Sequence, residues 1–299
     1  MTGASERYLR LTQLAQRAFS HGRLERALSL FSTAEDEAKR LGDRELTDRA
    51  FCNRCVVLLE LDRLDGAVGE LKTVLMRARD PFTAWMAAYY TAQVYEAEGN
   101  IARALAYARR ASEQAESCGD RRALFHSANQ HGVFALKDSC FGEAAERFHT
   151  ALELAPEVEV DELSISITRD NLGYCLMCVG RAPEGMALSG YAAAAIETIG
   201  ARQYLAEVYQ DLCYGALQLG RFDEAREWGE KALALAHEYE CPSVSRNTLM
   251  LLADAAMDAE DEGASESYLQ ALSEYYPDFR GMKSFLRALN VRDVINLKA

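Results

Sequence analysis

Residues 132–156 read GVFALKDSCFGEAAERFHTALELAP, and this stretch carries the pattern that decides the fold. Two small residues, Gly132 and Ala144, are twelve positions apart, and Ala151 follows Ala144 at helical spacing. Helices approach each other closely where small side chains meet. Pro156 then ends the stretch, since proline is not tolerated in a helix interior. The stretch therefore predicts two helices packed as a hairpin.

The same pattern recurs seven times along the 299 residues, at spacings of 40, 37, 40, 41, 40 and 39. A repeat of this kind indicates hairpins that stack on their neighbours. Its first small residues are Ala27, Ala67, Ala104, Ala144, Gly185, Ala225 and Ala264. All five prolines lie where this register places a turn, and apolar residues follow the helical period. The sequence predicts an all-α solenoid without strands.

The repeat register also gives domain boundaries. We expect a short N-terminal tail at residues 1–5, seven hairpins, and a separate C-terminal segment at 278–299. The seven hairpins are placed at residues 6–42, 43–81, 82–119, 120–156, 157–200, 201–241 and 242–277.

The C-terminal segment, residues 278–299, differs from the rest in charge. From Arg280 to Ala299 it has five cations and one anion, whereas the whole chain has a formal charge of −13. Its apolar residues recur at helical spacing, and a solenoid needs its last apolar face covered. We expect a capping helix here. The sequence leaves open whether the segment also binds a partner or folds back onto an acidic groove.

Composition restricts the classes of function. With 49% apolar residues the chain has enough apolar surface for a core, and no apolar run is long enough to span a membrane. A pI of about 5.0 makes nucleic acid and anionic membranes poor partners. The N-terminus has no apolar stretch typical of a signal peptide, so eight cysteines indicate reduced thiols and a cytoplasmic location.

The repeat resembles a known family. The segments from Gly132 to Ala135, Phe141 to Phe148 and Ala151 to Pro156 are similar to a tetratricopeptide repeat (TPR). The resemblance covers about residues 6–277, with units near 40 residues instead of the usual 34 or so. It implies a right-handed superhelix whose first helices line a concave groove. Ligands in this family are peptides or partner segments lying along that groove.

The resemblance singles out one groove position in each first helix. Four of the first five are amides, which offer both a donor and an acceptor to a peptide backbone. Ordinary solvation of a polar face is the alternative. The positions are Gln13, Asn53, Tyr90, Gln130, Asn171, Asp211 and Met250.

A second candidate feature is an aromatic patch in the fifth and sixth hairpins. Tyr174 and Tyr214 lie three residues after the groove position, with Met177 and Leu217 one turn later. Aromatic side chains with a polar tip are common anchors at interfaces. Tyrosines that fill gaps between neighbouring repeats are the alternative interpretation.

The sequence has little to suggest catalysis. Two Cys-x-x-Cys pairs, Cys52/Cys55 and Cys175/Cys178, have the spacing of metal ligands but lie in distant repeats. We therefore expect no metal and no cofactor. No phosphate-binding loop, nucleophile elbow or zinc-protease motif occurs in the sequence.

These observations favour a non-enzymatic scaffold that binds a peptide or a protein, neutral or basic in charge, along the groove. A regulator that changes its superhelix when a partner binds is the alternative. An enzyme with a site assembled from distant repeats is a remote third interpretation.

Removal of residues 280–299 tests the capping role. We expect the truncated chain to aggregate or unfold in part, because the apolar face of the last hairpin would be exposed to water. Size-exclusion chromatography and thermal melting measure both effects. A truncated chain that stays monomeric and melts at an unchanged temperature contradicts the capping role.

Overall fold

A computed structural model describes residues 3–61, 63, 66–276, 284, 286, 288, 292 and 294–298 of this chain. In these residues fourteen α-helices alternate with short loops and three 3-10 turns, and there is no strand. The first seven helices are α1 (Gly3–Ser20), α2 (Leu24–Leu41), α3 (Arg44–Glu60), α4 (Ala67–Arg77), α5 (Pro81–Ala97), α6 (Ile101–Cys118) and α7 (Arg121–Lys137). The others are α8 (Phe141–Leu154), α9 (Glu162–Cys178), α10 (Ala182–Ile199), α11 (Leu205–Gln218), α12 (Phe222–Glu238), α13 (Pro242–Asp258) and α14 (Glu262–Leu272).

The all-α repeat fold predicted from the sequence is confirmed. Odd-numbered and even-numbered helices alternate as the first and second helices of successive hairpins. Helix α1 begins at Gly3, so the expected tail at residues 1–5 is partly helical. Glu6 lies in the first turn of α1, where a negative charge interacts favourably with the helix dipole. Among the described residues, no helix is both long enough and apolar enough to cross a membrane.

The helices form two compact units, unit 1 (residues 1–134) and unit 2 (residues 135–299), and the division falls within α7. In unit 1 one core cluster contains Phe51, Leu71 and Trp85. The indole Nε1 of Trp85 donates a hydrogen bond to Ser127 Oγ at 2.7 Å. This bond satisfies a buried donor and fixes α5 against α7 within the unit.

The last hairpin of unit 2 has a described residue of the C-terminal segment on its core. Leu286 is buried beside Leu249, Leu269 and Leu272 of α13 and α14. Residues 277–283, 285, 287, 289–291, 293 and 299 lie outside the described residues. The capping helix expected at 278–299 therefore stays a prediction.

Close contact between α9 and α10 explains an irregularity in the repeat, where Gly185 replaces the usual alanine. A Cβ added at Gly173 would lie 2.7 Å from the carbonyl oxygen of Gly185 and 2.6 Å from Ser189 Oγ. A Cβ added at Gly185 would overlap the carbonyl oxygen of Gly173. Gly185 is buried, and the absence of a side chain at this position allows the backbones of α9 and α10 to approach each other.

Substitution of Gly173 by alanine tests this contact. We expect Gly173→Ala to lower the free energy of unfolding by about 1–3 kcal/mol, because an added methyl group forces the helices apart. The matched control is Gly190→Ala on α10, where an added Cβ meets nothing within 4 Å. Alanine at that exposed position should raise stability by about 0.5–1 kcal/mol. Urea unfolding measures both, and equal effects of the two substitutions would contradict the close approach.

Candidate functional site

The first helices of the last three hairpins, α9, α11 and α13, lie side by side, with α11 in contact with both of the others. We call the surface they share the inner face of unit 2. It contains five carboxylates that the structure places near the end of the chain: Asp170, Glu207, Asp211, Asp254 and Asp258.

The C-terminal residues 292 and 294–298, here called the tail, lie on this inner face. The tail is not an α-helix in the described residues. Its two described cations, Arg292 and Lys298, each contact carboxylates of the face. The possibility that the basic segment folds back onto an acidic groove, left open by the sequence, is thus the arrangement that the structure has.

Lys298 occupies an acidic pocket. Its Nζ lies 2.9 Å from Asp211 Oδ2, 3.6 Å from Asp170 Oδ2 and 3.4 Å from Glu207 Oε2. The Lys298 side chain is 10% exposed and the Asp211 side chain is fully buried. The same Nζ lies 6.0 Å from the centre of the Tyr174 ring. The pocket therefore recognises a positive charge with most of the surrounding water excluded.

Burial and charge act in opposite directions on Lys298. Burial lowers the pKa of the ammonium group, but the carboxylates of Asp211, Asp170 and Glu207 raise it by a larger amount. The pKa of Lys298 therefore lies above its usual value. Burial raises the pKa of Asp211, with Lys298 opposing that rise. Lys298 is thus charged while it lies in the pocket, and Asp211 depends on it as a counterion.

Arg292 forms a second charged anchor. Its guanidinium lies 3.1 Å from Asp254 Oδ2 through Nε, contacts Asp258 through Nη2, and donates to the Leu217 carbonyl at 3.0 Å through Nη1. The side chain of Arg292 is 12% exposed. A guanidinium has five donors in a rigid plane, which suits several acceptors at once. This anchor fixes the start of the described tail.

Side chains of the inner face also bind the tail backbone. The Tyr174 hydroxyl accepts a hydrogen bond from the Leu297 amide at 3.0 Å, and Asn247 Nδ2 donates to the Leu297 carbonyl at 3.4 Å. The Tyr214 hydroxyl donates to the Arg292 carbonyl at 3.2 Å. Backbone groups are the same in every residue, so these contacts do not depend on the sequence that is bound.

Some of the predicted site residues meet at the tail. The rings of Tyr174 and Tyr214 are 5.5 Å apart, and both hydroxyls bond the tail. Asp211 binds Lys298. The half-buried Asn171 follows Asp170 along α9. Their use for a partner stays a prediction.

Two members of the predicted apolar patch have other roles. Met177 is buried between helices, where its side chain would meet a Cβ added at Gly185 or Gly215. Met177 fills the space that those glycines leave, so it is a core residue. The prediction that it belongs to a partner-binding patch is wrong. Leu217 is fully buried, and its carbonyl oxygen accepts a hydrogen bond from Arg292 of the tail. Its register places it on the correct helix turn, but its side chain belongs to the core.

Sequence reasoning missed Asp170, Glu207, Asp254 and Asn247. Glu207 lies one helical turn before Asp211, so it shares a face with a predicted position. Asp170 precedes the predicted Asn171. These acidic residues near the groove register were thus visible in the sequence. A sequence alone does not distinguish carboxylates that bind a ligand from carboxylates that are only solvated.

In unit 1 the predicted groove residues differ in exposure. Gln13 is exposed, and Asn53 and Tyr90 are half-buried. Gln130 is buried, and its Nε2 donates to the Tyr89 carbonyl at 3.1 Å. This hydrogen bond joins α5 to α7 and uses the amide donor of Gln130 for packing. The expectation that the Gln130 amide is available to a ligand is therefore corrected.

The cysteine pairs are poor candidates for chemistry. Burial raises the pKa of Cys55 to about 12 and that of Cys178 to about 11, and it raises the pKa values of Cys52 and Cys175 as well. The thiolate is the nucleophile and the metal ligand, so these thiols are held in their unreactive form. Among the described residues, no three His, Cys, Asp or Glu side chains cluster as a metal site requires.

An open cavity of about 470 Å³ lies elsewhere in unit 2, among α10, α11 and α12. Its lining includes Glu197, Tyr209 and Lys231, and the Tyr209 hydroxyl donates to Glu197. Burial and Glu197 raise the pKa of Tyr209 to about 12. The cavity is wide open and has both signs of charge, so it selects no ligand class as clearly as the inner face does.

No family model and no curated protein matches this sequence. Solved structures do match. NprR in complex with its cognate peptide NprX is 13% identical, with a TM-score of 0.69 over 98% of this chain and 87% of that chain. A Rap protein complexed with competence and sporulation factor is 11% identical, with a TM-score of 0.62 over 95% of this chain and 79% of that chain.

A putative kinesin light chain from Podosopora anserina with nearly identical TPR-like repeats is 14% identical, with a TM-score of 0.51 over 64% of this chain and 95% of that chain. This chain has a TPR-type fold. At these identities the similarity establishes the fold alone. It confirms the TPR resemblance drawn from the sequence.

Loss of the Lys298 charge tests the acidic pocket of this TPR chain. We expect Lys298→Met to lower the free energy of unfolding by about 3 kcal/mol near neutral pH, because Asp211 stays buried without its counterion. In the unsubstituted chain Lys298 opposes the rise that burial causes in the pKa of Asp211. The substitution removes this opposition, so folded Asp211 keeps its proton to a higher pH than in the unsubstituted chain, and ionising it costs more stability as pH rises. The deficit relative to the unsubstituted chain should therefore grow from about pH 4 to about pH 8.

The double variant Asp211→Asn/Lys298→Met is the control for that experiment. It removes the charge of Asp211 together with its partner, so the pH dependence of the deficit should be smaller than in Lys298→Met and part of the stability should return. Urea unfolding at several pH values measures this. A deficit in Lys298→Met that is the same at every pH would contradict the pocket.

Proposed function

We propose that this chain is a non-enzymatic TPR module that binds a peptide or a segment of a partner protein along its first helices. The observation that carries the proposal is the inner face of unit 2. There Tyr174, Tyr214 and Asn247 bind the backbone of a non-helical segment. A surface that binds one such segment through backbone groups is suited to bind others.

The chemistry of the face supports a partner that is neutral or basic. Hydroxyl and amide groups both donate and accept, so they bind a peptide backbone of any sequence. Carboxylates add selectivity for cations and speed the encounter with a basic partner. Nucleic acid and anionic membranes are outside the proposal because the chain carries a formal charge of −13.

Proteins of similar fold support the proposal. NprR binds the peptide NprX, and a Rap protein binds competence and sporulation factor. We extend peptide binding to this chain, with Gln13, Asn53 and Tyr90 of unit 1 as proposed contacts beside those of unit 2. The buried thiols suit a reducing compartment, and we propose a cytoplasmic location.

A switching regulator is the second candidate function. It is favoured by the tail, because a ligand that takes the place of Arg292 and Lys298 would change which residues cover the inner face. In this version the signal is the exposure or covering of a surface. The scaffold and the regulator use the same helices.

A peptide selection tests the proposed function. A random peptide library is selected on the immobilised full chain, and the dissociation constants of the selected peptides are measured by fluorescence anisotropy. We expect Gln13→Ala/Asn53→Ala to weaken peptides bound to unit 1 about thirtyfold, since each of the two lost hydrogen bonds contributes about 1 kcal/mol. Peptides bound to unit 2 should weaken to a similar degree in Tyr174→Phe/Tyr214→Phe.

The matched control is Gln203→Ala/Gln270→Ala, which removes two exposed amides outside the first helices. It should leave every dissociation constant unchanged. The proposal fails if the library yields no specific binder, or if all binders are insensitive to both sets of substitutions.

A further inference from the structure

We infer that the inner face of unit 2 is a binding site for a basic peptide segment of a partner, and that the tail of this chain is a built-in competitor that occupies the same site. The inference rests on the proposed function and makes its ligand specific. The juxtaposition that carries it is Arg292 on Asp254 and Asp258, with Lys298 on Asp170, Glu207 and Asp211.

The described tail contacts the face through polar and apolar groups. Val294 is 60% exposed, and Leu297 is the buried apolar residue next to Lys298. Asn296 Nδ2 donates to the Leu136 carbonyl at 2.8 Å and to Ser139 Oγ at 3.0 Å. Apolar cover for the last hairpin comes from Leu286 and from Ile295 of the tail, which packs against the same cluster. Apolar cover explains the position of Ile295, but it does not explain the ion pairs that Arg292 and Lys298 make with the carboxylates of the face.

The ion pairs of the Lys298 pocket stabilise the fold less efficiently than apolar packing would. Buried ion pairs lose hydration, and apolar replacements are often equally or more stable. The Oδ1 atoms of Asp170 and Asp211 are buried and have no hydrogen-bond partner within the part of the chain that is described. By contrast, both carboxylate oxygens of the buried Asp48 in unit 1 are bound by Arg77. The pocket thus keeps acceptors that its present occupant does not use, as a site for exchangeable cations would.

The charge of the site favours a partner over the tail alone. Five carboxylates face two cations, which leaves a net charge of −3 when all are ionised. This excess attracts a basic segment and raises its rate of association.

The tail contacts define the partner. Its segment has an arginine or lysine, and six residues later a lysine preceded by a large apolar residue, as in Arg292 and Leu297-Lys298. Backbone contacts from Tyr174, Tyr214 and Asn247 tolerate any residues between them. The class of ligand is therefore a basic, irregular peptide segment, not a free amine or a helix.

Competition with the tail sets the affinity. A tethered ligand acts at an effective concentration in the millimolar range, so an external peptide of the same intrinsic affinity is outcompeted in the unsubstituted chain. Release of the tail removes this penalty. The measurable consequence is a gain in binding when the tail cations are lost.

The experiment uses the full chain and a fluorescent synthetic peptide that copies residues 288–299. Arg292→Ala/Lys298→Ala loosens the tail and leaves Leu286 in place. We expect this variant to bind the peptide at least tenfold more tightly than the unsubstituted chain. The matched protein control, Arg226→Ala/Lys231→Ala, removes two exposed cations of α12 and should not differ from the unsubstituted chain.

The peptide control replaces Arg292 by citrulline and Lys298 by norleucine, which keep the shapes and remove the charges. It should bind the loosened variant at least tenfold more weakly than the copied peptide. Adding Asp211→Asn and Asp254→Asn to the loosened variant should weaken the copied peptide to the same extent. Equal binding of the charged and uncharged peptides would overturn the inference, as would no binding to a loosened variant with an intact helical circular dichroism spectrum.

If the loosened variant fails to fold, hydrogen exchange of the unsubstituted chain tests the inference instead. Excess copied peptide should speed exchange of the Leu297 amide, now bonded to Tyr174, at least tenfold, whereas the uncharged peptide should not. Unchanged exchange with bound peptide would overturn the inference. If the library peptides bind unit 1 and leave the tail in place, the inference is overturned and the proposed function stands. If no peptide binds either unit, both the inference and the proposed function are overturned.

Discussion

Close contact between paired helices at small residues is the constraint on which this structure depends. Each hairpin is amphipathic and buries its apolar surface only against its partner helix and the next hairpin. Where Gly173 meets Gly185, the two backbones lie closer than any side chain larger than hydrogen allows. Elsewhere alanines such as Ala144 and Ala151, both fully buried, perform the same task. Packing of this kind leaves one side of each first helix unused for the core, and in unit 2 this side is the inner face.

That unused side is where polar chemistry accumulates. In unit 2 it contains acids from three helices, and the acids stay apart from the core because helical periodicity separates the two faces. Asp170 and Asp211 are buried, and Lys298 of the tail contacts both. The electrostatics of this face therefore depends on the repeat array and on its occupant. Buried ion pairs contribute little net stability, because both charges lose their hydration.

The tail combines two modes of recognition. Hydroxyl and amide groups bind its backbone, and carboxylates bind its cations. The first mode tolerates sequence variation and the second selects charge, which is a combination suited to a ligand that must be specific and still replaceable. In the proposed function, peptide binding through the first helices and occupation of the same helices by the tail are two uses of one surface.

Much of the fold could be predicted because its determinants are local. The spacing of small residues, the five prolines at turns and the helical period specify hairpins within about 40 residues. Part of the site followed from register, since Asp211, Tyr174 and Tyr214 share one helix side with the groove position. Met177 and Gln130 were misassigned because register gives the side of a helix but not the neighbours that fill it.

The sequence by itself determined the helical repeat, its period of about 40 residues and the acidic charge of the chain as a whole. Only the tertiary structure decided that the tail lies on α9, α11 and α13. Those contacts join residues from 34 to 160 positions apart, such as Arg292 with Asp258 and Asn296 with Leu136. No local pattern encodes such pairings, because they depend on how successive hairpins bring distant acids, hydroxyls and carbonyls to one surface.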